Sequence, residues 1–234
     1  MIFSSRQVLW SFAALLVCLV AFELFDIDLL VQRLLFDSQT GTWLLGSEEP
    51  LMRFLLYDGF KRLLILFALL VGAALGLATF SSHCTQYRRG LRIVFFSLLL
   101  VPAIVGLGKA TTNIPCPRDI AEFGGTAIHT GLWESAFSTS RTDRRYRCFP
   151  AGHASGGFAL LSLYFLGQTR RQRAAAITLG LSLGWATGIY KMAIGDHFLS
   201  HTVVTMILAW LIINLLAMLD TSYSSSTLAV RKDQ

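Results

Sequence analysis

Long apolar blocks alternate with short polar segments along this 234-residue chain. A helix that crosses a bilayer needs about 17–25 mainly apolar residues, and the blocks approach or reach that length. The pattern predicts an all-α membrane protein with six transmembrane helices, at residues 8–25, 63–80, 93–109, 154–168, 174–190 and 198–219. Residues 1–220 are predicted to form one domain. Residues 221–234, "TSYSSSTLAVRKDQ", are expected to form a disordered cytoplasmic tail.

The first apolar block could belong to a signal peptide or to a permanent helix. The sequence after it, "FELFDIDLL", is bulky and acidic and offers no small-x-small cleavage site. We therefore expect an uncleaved first transmembrane helix. The next segment, 27–37, has apolar residues at helical spacing with charges between them, which is typical of a helix in the membrane interface.

Composition supports the membrane assignment. The chain is 54% hydrophobic and 15% charged, whereas a soluble domain has about 25% charged residues. The net charge of +6 suits contact with anionic lipid or with an anionic substrate. It requires no nucleic-acid partner.

Basic residues in the short loops predict the orientation of the spans. They lie between spans two and three, between spans four and five, and at the two ends of the chain: Arg88, Arg89, Arg92, Arg170, Arg171, Arg173, Arg6, Arg231 and Lys232. The positive-inside rule then places both termini in the cytoplasm. Lys61, Arg62 and the segment "RTDRRYR" (141–147) break the pattern on the other side, where long translocated loops can ignore the rule.

Polar residues collect in three clusters, at 109–119, 148–155 and 191–201. With six spans, all three clusters lie on one side of the membrane, at the outer ends of spans three to six. Ionisable residues at such places in a membrane protein indicate a functional site. The sequence therefore predicts one site, on the outer side of the membrane.

Each cluster also has an ordinary structural interpretation. Lys109 ends an apolar run and could snorkel to the interface. His153, in "PAGHASGG", could cap a helix, or the same helix N-terminus could bind an anion. His197 and His201 are four residues apart, so they share one helix face and could simply wet a helix end. Three histidines could also hold zinc.

The clusters become more specific when they are taken together. They supply cations, a helix N-terminus and imidazoles, which are the groups that phosphoryl transfer requires. Cations neutralise the phosphate oxygens, one imidazole attacks phosphorus, and another protonates the leaving oxygen.

Two of the four cysteines are predicted to form a disulfide. Cys18 lies in a predicted span and Cys84 in a cytoplasmic loop, whereas Cys116 and Cys148 share the long outer loop. An oxidising compartment would allow that pair to form. The bond would hold Arg118 against the Gly-His turn.

The order of the clusters resembles the type-2 phosphatidic-acid phosphatase superfamily, which also includes the vanadium haloperoxidases. Its motifs are K-x6-R-P, P-S-G-H and S-R-x5-H-x3-D. The corresponding segments here are "KATTNIPCP", "PAGH", in which Ala151 replaces the serine, and "YKMAIGDHFLSH". The resemblance covers about residues 93–219, which include four of the six predicted spans.

The resemblance implies a role for each matching residue. His197 corresponds to the nucleophile, and His153 to the acid that protonates the leaving group. His201 stands where the family has the aspartate that orients the nucleophile. The groups expected to hold the phosphate are Lys109, Arg118, Lys191 and Gly152. The resemblance implies neither a metal ion nor another cofactor.

The chain departs from the family pattern at several of these positions. Cys116 stands where the first motif has arginine, and Arg118 comes two residues later. Lys191 replaces the arginine of the third motif, and a lysine is a point charge rather than a planar fork. Asp119 and Asp196 are further candidates for the orienting role. Other sources of the missing charge lie further along the loop: Arg144, Arg145 and Arg147.

The resemblance implies an integral-membrane lipid phosphatase that works through a phosphohistidine. Its partners would be the bilayer and a lipid phosphate or pyrophosphate, such as phosphatidic acid, phosphatidylglycerophosphate, undecaprenyl pyrophosphate or a lipid A phosphate. A lipid-to-lipid phosphotransferase with the same intermediate is the first alternative. A non-catalytic lipid-binding or transport protein is the second. The sequence leaves the oligomeric state open.

Overall fold

The computed structural model of the protein describes residues 5–46, 50–80, 85–131, 133–134 and 146–230. The described chain is mostly helical. Its α-helices are α1 (Ser5–Leu24), α2 (Ile27–Arg33), α3 (Pro50–Arg53), α4 (Gly59–Phe80), α5 (Thr85–Thr111), α6 (Gly152–Ala159), α7 (Arg170–Ala193) and α8 (Leu199–Val230). A π-helical turn, Phe54–Asp58, joins α3 to α4. Three 3₁₀ segments complete the helical structure: Pro117–Asp119, Ala121–Phe123 and Leu160–Phe165.

Four helical segments are long and apolar enough to cross a membrane. They are Ser5–Leu24, Pro50–Phe80, Thr85–Thr111 and Leu199–Asp220. The other two predicted spans also fall in helical structure, but α6 is short and passes into a 3₁₀ segment. Helix α7 has the length, but arginines at its start, glycines and a lysine make it less apolar. The described chain is therefore mostly helical, with four helices that could cross a membrane, and the six-span topology remains a prediction.

The main core lies where α4 to α8 meet, and α6 occupies its centre. Phe158 of α6 is completely buried, and Val101 of α5 and Ile213 of α8 belong to the same cluster. Gly157 of α6 faces Gly184 of α7 so closely that a Cβ on Gly157 would lie 2.6 Å from the Gly184 Cα. The close approach holds the short α6 against its neighbours.

Polar contacts attach the outer helices to α8. The Asn214 side-chain amide donates to the Ser11 hydroxyl of α1 at 3.3 Å. Arg92 and Arg89 of α5 pair with Asp220, at 2.7 and 3.4 Å. These contacts fix α1 and α5 along the same helix.

The described C-terminal segment is helical beyond residue 220. Helix α8 continues to Val230 and so includes residues 221–230. Its sequence contains neither glycine nor proline from Leu199 to Val230, and these are the residues that most strongly end helices. Residues 231–234 lie outside the described part of the chain.

A two-stranded hairpin, which the sequence did not predict, packs beside the connection between α7 and α8. Strands β1 (Phe36–Asp37) and β2 (Thr42–Trp43) pair antiparallel. Phe36 and Trp43 contact Phe123 and, with Phe198, belong to one apolar cluster. The hairpin therefore covers the loop that carries Asp196 and His197. The preceding segment forms α2 over part of the predicted interfacial stretch.

Replacement of Gly157 by alanine should destabilise the fold, because the added methyl group would collide with the α7 backbone. Overpacking of this kind costs about 1–3 kcal/mol. We expect Gly157→Ala to lower the melting temperature in detergent.

Gly76→Ala is the matched control, since Gly76 lies within α4 and a Cβ there meets no atom within 4 Å. That substitution should leave the melting temperature unchanged or raise it. Equal melting temperatures for the two variants would contradict the close packing of α6 on α7.

Candidate active site

The predicted site residues all lie at helix ends or in the loops between them. Lys109 is in the last turn of α5, and Gly152 and His153 begin α6. Lys191 is in the last turn of α7, and His201 is in the first turn of α8. The remaining two occupy connecting segments: Arg118 in a 3₁₀ turn and His197 between α7 and α8. Arg144 and Arg145 lie outside the described residues.

Asp196 joins two of the expected phosphate-binding cations. Its Oδ2 accepts a hydrogen bond from the Lys191 Nζ at 2.7 Å, and its Oδ1 forms an ion pair with the Arg118 Nη1 at 2.6 Å. The Lys191 side chain is only 7% exposed, whereas that of Arg118 is 52% exposed. A buried ammonium group requires an opposite charge. Asp196 provides it, so Asp196 pairs with the cations rather than with His197.

A left-handed glycine places Asp196 next to these cations. Gly195 has a φ of +75° and follows the end of α7, a position that glycine commonly takes after a helix. The chain then turns back, and the amides of Asp196 and His197 both donate to the Lys191 carbonyl, at 2.8 and 3.2 Å. The Arg118 amide donates to the Gly195 carbonyl at 3.0 Å. Backbone contacts therefore position the late arginine at this turn.

His197 is buried and directs one ring nitrogen towards His201. Its Nδ1 forms a 3.4 Å hydrogen bond with the His201 Nδ1. Burial, followed by the electrostatic effect of His201 and the nearby lysines, lowers the pKa of His197 well below its usual range. The imidazole is therefore neutral at pH 7, and its Nε2 is the nitrogen not committed to this bond. Asp119 does not compete for this place, because its carboxylate lies 3.4 Å from the Cys116 amide in its own turn.

A disulfide connects Cys116 to Cys148, with 5.2 Å between the two Cα atoms. This disulfide joins the turn that carries Arg118 to the segment that leads into α6. The Cys148 sulfur also lies 3.8 Å from the His197 Nδ1. Three parts of the site therefore meet at this bond.

His153 lies on the other side of the lysines, stacked on an aromatic ring. The ring centroids of His153 and Tyr57 are 4.3 Å apart, and the Lys191 Nζ is 4.5 Å from the Tyr57 centroid. The second distance is within the range of cation–π attraction. Among the described residues, none pairs with the buried Nδ1 of His153. That nitrogen is available to a ligand.

The first turn of α6 contacts Lys109, the remaining cation of the expected phosphate site. A Cβ on Gly152 would lie 3.3 Å from the Lys109 Cδ and 3.6 Å from its Nζ, so glycine at this position leaves room for the lysine. Among the described side chains, none caps the N-terminus of α6. The Lys109 ammonium therefore lies beside the N-terminus of α6, and a helix N-terminus beside a cation suits an anion.

Sequence reasoning missed Tyr57 altogether. Tyr57 lies in the π-helical turn before α4, in a segment whose pattern indicated only the approach to a transmembrane helix. A π-helical turn is frequent at functional sites, but no sequence signal distinguishes it here. Asp196 was considered only as an orienting group for His197.

An apolar cavity of about 530 Å³ opens beside His153. Its polar end contains His153, Tyr57 and Lys61, and the rest of its wall is apolar. The apolar wall comes mainly from α4 and α5: Phe60, Leu64, Ile65, Ala68, Leu69, Phe95, Leu98, Leu99 and Pro102. The cavity has the size and lining of a small-molecule site, for which volumes of about 300–1,000 Å³ are typical.

The family assignment agrees with this geometry. The sequence model of the PAP2 superfamily matches residues 90–222, more than half of the chain, and the match includes the helices and loops that carry the three motifs. The chain belongs to the PAP2 superfamily. Comparison with curated proteins and with solved structures found no match.

Membership in the PAP2 superfamily supports phosphatase or phosphotransferase activity. Together with the apolar helices, it also indicates a membrane protein. This PAP2 chain has neither motif arginine, because Cys116 and Lys191 occupy their positions. Arg118 and Lys191 both pair with Asp196. The three histidines of the zinc alternative do not form one compact group of ligands. Among the described residues, the compact group of possible metal ligands contains Cys148, His197 and His201 but not His153.

Thiol counting checks the disulfide. Protein purified without reductant should show two alkylatable cysteines after denaturation, Cys18 and Cys84, and four after reduction, as measured by intact mass. Four free thiols without reductant would contradict the Cys116–Cys148 bond.

Proposed function

We propose that this protein is an integral-membrane lipid phosphatase that hydrolyses a lipid phosphate or pyrophosphate at the periplasmic face of a bacterial inner membrane. One observation carries the proposal: an apolar cavity ends at His153, beside Tyr57 and the Lys191 ammonium group. A lipid phosphate has the same two parts, an acyl or prenyl chain and a charged head.

The cations would hold the phosphate before reaction. Lys109, Lys191 and Arg118 neutralise its oxygens, with help from the amide groups at the start of α6. The phosphate replaces the Asp196 carboxylate as the partner of Arg118 and Lys191. Since Asp196 is a monoanion with two oxygens, a phosphate dianion is the stronger competitor for both cations.

The first chemical step is attack by the His197 Nε2 on phosphorus. The Nδ1–H of His197 donates a hydrogen bond to the neutral His201. This bond keeps the Nε2 lone pair of His197 directed at the substrate. The bond from phosphorus to the lipid oxygen breaks with its electron pair on oxygen. Burial, followed by the charges of Lys191 and Lys109, lowers the pKa of His153 to about 4 in the free enzyme. A bound phosphate dianion favours the protonated imidazole, which transfers a proton to that oxygen, and His197 becomes a phosphohistidine.

The second step regenerates the enzyme. Water attacks the phosphohistidine while His153, now neutral, accepts a proton from the water. The phosphorus–nitrogen bond breaks, inorganic phosphate leaves, and the electron pair returns to the His197 Nε2. Asp196 then pairs again with Arg118 and Lys191. Side-chain cations supply the positive charge throughout.

Several lipid phosphates fit this chemistry: phosphatidic acid, phosphatidylglycerophosphate, undecaprenyl pyrophosphate and lipid A phosphates. The basic loop within 110–153 mildly favours the two bulkier or more highly charged classes, lipid A phosphates and pyrophosphates. Purified protein in detergent, incubated with each lipid in turn, tests the proposal through release of inorganic phosphate.

Release without an acceptor lipid supports hydrolysis. Phosphate transfer that requires an acceptor lipid would replace the phosphatase with a phosphotransferase. No turnover of any of these lipids by folded protein would favour a non-catalytic lipid-binding protein.

His197→Ala should lower phosphate release by about a thousandfold or more, because the substitution removes the nucleophile. His129→Ala is the matched control: it also removes an imidazole, but His129 packs on Phe198, outside the proposed machinery. It should retain most of the activity. A folded His197→Ala variant with a tenth of the wild-type rate would exclude His197 as the nucleophile.

His153→Ala should slow hydrolysis of a lipid phosphate far more than that of nitrophenyl phosphate. A nitrophenolate leaves without a proton, whereas a lipid alkoxide needs one. The ratio of kcat/KM for the two substrates, in wild type and variant, measures the difference. Equal losses on both substrates would argue that His153 binds phosphate rather than acting as the acid.

A further inference from the structure

Cys148, His197 and His201 form a compact group of possible metal ligands beside the reacting centre. Their ligand atoms all lie within 4.8 Å of one another. The Cys148 sulfur is 3.8 Å from the His197 Nδ1, and the two Nδ1 atoms of His197 and His201 are 3.4 Å apart. In the oxidised protein, the disulfide with Cys116 occupies the sulfur.

The separations agree with tetrahedral zinc. Zinc bonds sulfur at about 2.3 Å and imidazole nitrogen at about 2.0–2.1 Å, so tetrahedral ligands lie about 3.5–3.6 Å apart for a sulfur–nitrogen pair and about 3.3–3.4 Å for two nitrogens. The two distances given above, 3.8 and 3.4 Å, differ from these values by a few tenths of an ångström. The third pair, the Cys148 sulfur and His201, lies within 4.8 Å and would close by up to about 1.3 Å on binding. Two imidazoles and one thiolate, with a water in the fourth position, follow the general pattern of open zinc sites, which have three protein ligands and a water.

We propose that reduction of the Cys116–Cys148 disulfide creates an inhibitory Zn²⁺ site formed by the Cys148 thiolate, the His197 Nδ1 and the His201 Nδ1. The site is therefore absent from the oxidised enzyme and requires a reductant to appear. Its ligands differ from the three-histidine set, because His153 takes no part.

The reduction step balances with a dithiol as the electron donor. Two electrons pass to the disulfide, each sulfur takes a proton, and the dithiol is oxidised to its own disulfide. Zinc then binds to the Cys148 sulfur and releases the thiol proton to solvent. The water that completes the zinc sphere comes from solvent.

The surroundings keep the three ligands in place after reduction. Cys148, His197 and His201 are all buried, with 1–3% of each residue exposed. The Asp196 carbonyl oxygen lies 2.8 Å from the Cys148 sulfur, so the reduced thiol has a hydrogen-bond acceptor at its present position. The metal can then replace the proton after a shift of about an ångström between the Cys148 sulfur and His201.

Inhibition follows from the tautomer that zinc imposes on His197, and this part rests on the proposed function. A neutral imidazole has one N–H and one lone pair. Metal on Nδ1 uses the lone pair and leaves the proton on Nε2, the atom that attacks phosphorus in the proposed mechanism. Zinc also takes His201 away from its orienting role. The metal site itself does not depend on catalysis.

A matched pair of cysteine variants tests the site. Cys116→Ser and Cys148→Ser both remove the disulfide, but only the second removes the ligand. Full-length protein in detergent is titrated with Co²⁺, which reports thiolate coordination through a sulfur-to-cobalt charge-transfer band. Cys116→Ser should bind about one equivalent with that band and without reductant. Cys148→Ser should lack the band and bind at least about tenfold more weakly.

Cobalt titration of the wild-type protein provides a second test, in which no cysteine is substituted. The band should appear only after reduction by a phosphine, and His197→Ala should abolish it. A band of equal strength in Cys148→Ser, or no band in folded Cys116→Ser and in reduced wild type, would overturn the proposal.

Activity separates this inference from the proposed function. Zn²⁺ should stop the phosphate release that Cys116→Ser shows without metal, and EDTA should restore it, whereas Zn²⁺ should not change the rates that Cys148→Ser and the oxidised wild type each show without metal. Cobalt binding in a protein that hydrolyses no lipid phosphate would support the metal site and refute the phosphatase. Phosphate release that zinc does not inhibit in cobalt-binding Cys116→Ser would overturn the inhibitory role.

Discussion

The geometry of the site depends on the Asp196 carboxylate, which lies between Lys191 and Arg118. Lys191 is nearly buried, and Lys109 is close enough to affect the same histidines. Two like charges 4 Å apart repel by about 4 kcal/mol at an effective dielectric constant of about 20. Without a counter-charge, these cations would move apart. Asp196 thus keeps the cations of the proposed phosphate site together.

The surrounding fold fixes where that carboxylate lies. Gly195 ends α7 with a left-handed turn, the Arg118 amide bonds to the Gly195 carbonyl, and the Cys116–Cys148 bond ties the arginine turn to the approach to α6. Trp43 of the hairpin packs against Gly195. Contacts from distant parts of the sequence therefore converge on one turn. This convergence holds Arg118, which comes two residues late in the first motif, beside Asp196.

Much of the fold follows from the sequence, because apolar periodicity and length report on single helices. All six predicted apolar blocks lie in helical structure, and the three polar clusters meet at neighbouring helix ends. Motif spacing identified His197 and placed Lys191 six residues before it. The cysteine pair was predictable from loop position alone.

The remaining features depend on tertiary contacts that no local pattern records. Tyr57 reaches the site because a π-helical turn rotates the start of α4, and the hairpin has only two residues in each strand. Asp196 was visible in the sequence, but its choice of partner depends on the turn at Gly195. Helix α8 continues to Val230 because the segment contains no helix breaker, although its polarity suggested a tail.

Capture of the intermediate tests the central claim most directly. Protein mixed with a phosphate-labelled lipid substrate is quenched in alkali, which preserves phosphohistidine, and the labelled peptide is located by mass spectrometry. The account predicts a phosphate on His197, formed within the turnover time and absent from His197→Ala. Label on another residue, or continued turnover without any label on His197, would contradict it.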